Sequence, residues 1–209
     1  MSVSEDREDV APTPAVQPVA AAAAPIADPG PLGLAAFALT TFLLSAVNAH
    51  WTHGNSAGTA FLGYALAYGG IVQLLAGMWE FRNRNVFGAT AFSSYGAFWI
   101  GLFVWIRTAP AVTGHDLGWI LIAFAIFNTY MLLMATQVNL AVFGVFFFLE
   151  LTEIFLAVGN FHDSGLGGLS QVGGYLGVVT AAVAWYTSAA GVASGLNGRI
   201  RLPVGRPLL

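Results

Sequence analysis

Six runs of about 20 apolar residues, the length an α-helix needs to cross hydrocarbon, dominate this chain. They lie at about 33–49, 57–79, 86–106, 117–136, 138–159 and 171–194. Only 8% of the residues are charged, none is lysine, and the mean hydropathy is +0.73. Soluble domains carry roughly 25% charge, so the polar surface that six such helices would need in water is missing. The fold class is therefore all-α integral membrane, a six-transmembrane-helix bundle whose backbone groups are satisfied within the helices. The net charge of -3 and the scatter of the seven arginines give no basic patch for nucleic acid. The lack of cysteine excludes disulfides, thiolate metal sites and cysteine catalysis.

Residues 1–27 are of different composition, acidic and then rich in Ala and Pro, and read as a disordered cytoplasmic tail. Residues 28–197 form the six-helix transmembrane domain and 198–209 a cytoplasmic C-terminal tail. Arg7, Arg82, Arg84, Arg199, Arg201 and Arg206 fall on one side of the spans and only Arg107 on the other. The positive-inside rule then makes both termini cytoplasmic. All four histidines, His50, His53, His115 and His162, fall in or beside the opposite loops, where protonation below about pH 6.5 would make an entrance cationic. Spans four and five join so tightly around Gln137–Asn139 that they must form an antiparallel hairpin. Gly173/Gly177 and Gly191/Gly195 have the four-residue spacing that favours close helix contact or oligomerisation.

Polar groups inside the spans are the functional candidates. The block Asn85 to Trp99, NVFGATAFSSYGAFW, places Thr90, Ser93, Ser94 and Tyr95 at membrane depth, where an unsatisfied hydrogen-bonding group is costly. Helical spacing puts Phe37, Thr41, Leu44, Ser45 and Asn48 on one face of the first span. Gly69, Gln73, Gly77 and Glu80 share a face of the second. Such stripes suit either a hydrogen-bonded packing seam or a permeation path. Glu150 and Glu153 lie three residues apart near the middle of span five. Charging both there is costly and they would titrate as a coupled unit, so they and Glu80 are the candidate proton relay, the alternative for the pair being a neutral, hydrogen-bonded contact with a neighbouring helix or subunit. His50 and His53 lack nearby carboxylate or thiolate partners, and no metal or cofactor is expected.

Three ordered motifs carry a resemblance. DPGPLGL at Asp28 to Leu34 resembles the NPAPLGL signature of the acetate uptake transporters, the succinate-acetate permeases of bacteria and their yeast relatives. YGGIVQLLAGMWE at Tyr68 to Glu80, continued by NVFGATAFSSYGAFW, is similar to the second and third helices of that family, and LPVG at Leu202 to Gly205 to its C-terminal ending. The resemblance implies a hexamer in the plasma or inner membrane, with a path through each subunit for acetate, succinate and other short carboxylates, moved with protons. It also implies a constriction of Phe37, Tyr95 and Leu151, with Leu149 as the alternative register. The buried amide maps to Gln73, and Asn48, Thr90 and Ser94 are the further polar residues of the path. Asp28 stands where the family has Asn, and Glu150 and Glu153 are not part of its pattern.

Two other readings stay open at this point. One is passage of ammonia or another small neutral solute through the same constriction; the other is a membrane sensor or structural protein without flux. An enzyme is not expected, because no nucleophile–base arrangement, metal cluster or nucleotide loop accompanies the two carboxylates.

Overall fold

The computed structural model describes residues 26–52, 61–196 and 198–209, with the side chain of Asp163 left aside. Nearly all of the expected N-terminal tail, and His53, lie outside the described residues. Among the described residues, six helices are long and apolar enough to cross a membrane: α1 Gly30–Asn48, α2 Phe61–Arg82, α3 Val86–Thr108, α4 Gly114–Ala135, α5 Leu140–Asp163 and α6 Gly168–Gly195. The six-helix expectation is met, and the α4–α5 turn is as short as expected.

Local chemistry sets where these helices begin. Asp28 Oδ1 accepts a hydrogen bond from Gly30 N at 2.9 Å ahead of Pro31, which sits in the first turn of α1. Asn85, Thr113 and Asn139 cap α3, α4 and α5 by accepting from Gly88 N, Asp116 N and Val142 N at 3.0, 3.1 and 2.9 Å. From Ala65 to Val72, α2 is wound as a π-helix. Buried Gly69 and Gly70 lie in that wider stretch, immediately before Gln73.

Packing follows the order α3, α2, α1, α6, α5, α4, and the ring closes through a much thinner contact between α3 and α4. Small residues make the thick contacts possible. A Cβ on Gly96 would lie 2.8 Å from the Leu74 backbone nitrogen of α2, and one on Gly174 would meet the backbone of Asn48 and Ala49. Gly173 faces Leu156 and Gly177 faces Ser45, so this glycine pair serves close contact inside the protomer. Gly96→Leu is expected to lower stability by about 1–3 kcal/mol, seen as an earlier thermal unfolding midpoint in detergent.

Residues 201–209, expected as a tail, run without regular structure against the bundle. Val204 O accepts from Ala141 N at 2.9 Å, Leu208 N donates to Thr136 O at 2.7 Å, and the Tyr186 hydroxyl donates to Pro203 O at 2.7 Å. Gly205 has φ +75°, and a Cβ there would meet Leu140 Cβ at 2.5 Å. Both conditions require glycine at this turn.

Candidate functional site

A cavity of about 510 Å³ opens at the end of the bundle where α1 begins and the C-terminal segment docks. Its wall is built from the first turns of α1, α3 and α5, the second half of α2 and the last turns of α6, with Leu202 and Val204 of the C-terminal segment at its rim. The volume falls in the usual range for small-molecule sites, roughly 300–1,000 Å³, and the lining is mostly apolar with a few placed polar groups.

Inside, the cavity meets Phe37, Tyr95 and Leu149, all in one buried cluster, with the Phe37 and Tyr95 rings edge to face at 5.7 Å. Leu149 lines the wall, whereas Leu151 is half-buried and does not. Residues two apart on a helix point about 200° apart, so only one of the two can face this space.

Gln73 and Glu80 are also on the wall, 1% and 0% exposed. Gln73 Oε1 and Glu80 Oε1 accept no hydrogen bond from the described residues, and Glu80 Oε2 accepts from Asn83 Nδ2 at 3.0 Å. The Glu80 carboxyl lies against the first turns of α1 and α3, close enough that a Cβ on Gly88 would be 2.7 Å from its Oε1. Asp28 is at the exposed rim. Asn48, Thr90 and Ser94 do not line the cavity: Asn48 ends α1 near the opposite end of the bundle, and Thr90 and Ser94 are half-buried.

Behind Tyr95 lies a polar cluster. The Tyr95 hydroxyl is 3.0 Å from Asn128 Oδ1 and 3.1 Å from Glu153 Oε1. Asn128 Nδ2 donates to Phe146 O at 2.9 Å and to Glu150 Oε2 at 2.7 Å, and Thr129 Oγ1 donates to Glu150 Oε1 at 2.8 Å. Glu153 is buried, while Glu150 is half-buried beside exposed Thr129 on the flank of α4 and α5. The cluster spans the thin seam between α3 and α4, where Tyr95, Phe98, Phe124 and Phe127 pack edge to face or tilted. No hydrogen bond among the described residues joins Glu80 to this cluster.

Asn128 and Thr129 are absent from the sequence-based candidates, although the signal was present. A hairpin about Val138 sets Asn128 opposite Phe146 to Glu150, so a search for partners of the two carboxyls would have reached it. The described histidines, His50, His115 and His162, lie at the end of the bundle away from the termini, and His115 packs against Phe161 at 5.3 Å.

Among the described residues, six hydrophobic helices around a cavity, with a buried polar cluster behind Tyr95 of its wall, define a multi-pass membrane protein with an internal cavity. The chain belongs to the GPR1/FUN34/yaaH family, whose model matches residues 11–206. It is 40% identical over 199 residues to acetate permease A of Emericella nidulans, covering 85% of this chain and 65% of that one. It is 38% identical over 184 residues to ammonia transport outward protein 2 of Saccharomyces cerevisiae, with 83% and 64% covered. With the succinate-acetate/proton symporter SatP of Escherichia coli K12 the identity is 34% over 186 residues, covering 86% and 96%. The solved bacterial acetate channel SatP superimposes with a TM-score of 0.80 at 31% identity, over 86% of this chain and 99% of that one. The chain thus spans about two thirds of the length of these fungal relatives and nearly all of the bacterial ones.

Proposed function

We propose that this protein is a transporter or channel for acetate and other short carboxylates, succinate among them, moved together with protons across the plasma or inner membrane. The observation that carries this reading is the cavity ending on Phe37, Tyr95 and Leu149, in a chain whose relatives include an acetate permease, a succinate-acetate/proton symporter and an acetate channel. In this reading both termini are cytoplasmic, as the arginine count favours, so the cavity is the inner vestibule.

A carboxylate anion loses much of its hydration at an apolar ring, at a cost of several kcal/mol, and a protonated or hydrogen-bonded acid loses far less. Phe37, Tyr95 and Leu149 then form the constriction, Gln73 offers a hydrogen bond on its inner side, and the proton is held among three carboxyls, Glu80 and the Glu150–Glu153 pair. Small size, apolarity and few donors set selectivity. A homo-oligomer, hexameric by family resemblance, would cover the half-buried Glu150 and exposed Thr129 that otherwise face lipid in the middle of α4 and α5.

Reconstituted in liposomes, the protein is expected to take up labelled acetate, faster with an inward proton gradient and competed by succinate. Absence of acetate flux overturns the reading. A second reading is favoured by the ammonia transport name of one relative. Flux competed by ammonium and not by succinate would select it instead.

A further inference from the structure

The two carboxyls beside Tyr95 have different hydrogen-bonding duties, and counting donors separates them. Phe146 O is a carbonyl and can only accept, so the Asn128 atom 2.9 Å from it is the amide nitrogen. The second hydrogen of that nitrogen goes to Glu150 Oε2 at 2.7 Å. Asn128 Oδ1 is thereby fixed toward Tyr95, and because it too only accepts, the single hydroxyl hydrogen of Tyr95, within reach of both Asn128 Oδ1 at 3.0 Å and Glu153 Oε1, must go to Asn128 if that buried oxygen is to be paired. Glu153 Oε1 lies 3.1 Å from the same hydroxyl oxygen. With the tyrosine hydrogen already used, that contact is a hydrogen bond only when Glu153 supplies the hydrogen. No such constraint acts on Glu150, which can accept at both oxygens, from Asn128 and from Thr129.

From this geometry we infer that Glu153 is the proton-holding carboxyl behind Tyr95 of the cavity wall, that Asn128 positions its proton by claiming the Tyr95 hydroxyl, and that Glu150 is a fixed acceptor rather than a second carrier. The inference rests on the carboxylate-transport reading only for its functional consequence. When Glu153 releases its proton to water, the Tyr95 hydrogen turns from Asn128 to the new carboxylate, and Asn128 Oδ1, 0% exposed, loses its donor. Each state of Glu153 therefore sets a different hydroxyl direction in a residue of the cavity wall. The titratable groups facing Glu153 are Tyr95 from α3 and Glu150 from α5, with neutral Asn128 from α4. α1 and α6 contain no acidic or basic residue.

Two measurements on the full-length protein test this. The first is the infrared spectrum, in which a protonated carboxylic acid gives a carbonyl band distinct from carboxylate and amide bands. At neutral pH the wild type is expected to show such a band, one component of which is lost in Glu153→Gln while none is lost in Glu150→Gln, Glu80 accounting for what remains; Glu153→Asp, as a second variant, should shift the lost component. Absence of the band in the wild type, or its loss in Glu150→Gln alone, overturns the inference even if no transport occurs.

The second is acetate counterflow at equal pH on both sides, with the anion concentration held constant. Wild-type exchange should fall above the midpoint of a single carboxyl by roughly a further tenfold per pH unit beyond the fall in undissociated acid, and Glu153→Gln should lose that extra fall, because glutamine keeps a donor toward Tyr95. An unchanged profile in Glu153→Gln overturns the inference and leaves carboxylate transport standing. Absence of wild-type counterflow overturns the transport reading instead, and the infrared result then decides the inference alone.

Discussion

Leu149→Ala is expected to let the protein pass lactate, while Leu151→Ala leaves its preference for acetate as in the wild type. Leu149 is 6% exposed and shares a buried cluster with Phe37 and Tyr95 at the end of the cavity. Replacing its isobutyl side chain by a methyl group widens the cavity beside Phe37 and Tyr95. A pocket draws about 10–200-fold discrimination from one methylene, so the lactate-to-acetate flux ratio in liposomes should rise by about tenfold or more. Phe37→Ala should act in the same direction, since its ring packs against Tyr95. Truncating a buried leucine also costs about 2–5 kcal/mol, so fluxes must be normalised to folded protein. An equal rise in Leu151→Ala, or none in Leu149→Ala, would remove Leu149 from the constriction.

The choice between these two leucines shows what a sequence can and cannot fix. Apolar length, the lack of charge and the tight Gln137–Asn139 turn determine six helices and their hairpin, because those are properties of each segment alone. Rotation of a helix about its own axis is set by its neighbours. Span five is apolar on nearly every side, so nothing within it says whether Leu149 or Leu151 faces α1 and α3. The stripe on the second span was legible for the opposite reason. Gly69, Gln73, Gly77 and Glu80 differ from their surroundings, and all four are buried. Thr90 and Ser94 were chosen as polar members of an informative block, but helical spacing from Tyr95 places them off the cavity face. Leu202 and Val204 belong to a segment with no helical period at all, and only its docking on Ala141, Thr136 and Tyr186 brings them to the rim.

Asn128→Leu should destabilise the protein markedly, and a second substitution should reverse part of the loss. Asn128 is 0% exposed and connects three helices, through Tyr95 of α3 and through Phe146 and Glu150 of α5. Leucine is close in size, so the loss is of hydrogen bonds rather than of volume. A buried partner left unpaired costs about 1–3 kcal/mol, and interhelical hydrogen bonds in membranes average about 0.6 kcal/mol by double-mutant cycles. A loss of about 1–3 kcal/mol follows, because Glu150 and the Tyr95 hydroxyl each lose Asn128 and keep one partner, Thr129 and Glu153. Replacing both members of a pair by apolar groups is far cheaper than removing one. Asn128→Leu with Glu150→Leu should therefore recover about 1–2 kcal/mol relative to Asn128→Leu alone, read from unfolding in mixed detergent micelles. Simple additivity of the two substitutions would mean that Asn128 and Glu150 do not hold one another. The contact between α4 and α5 would then depend on its apolar packing, while the seam between α3 and α4, whose backbones meet at few points, keeps the Tyr95–Asn128 hydrogen bond and its aromatic rings.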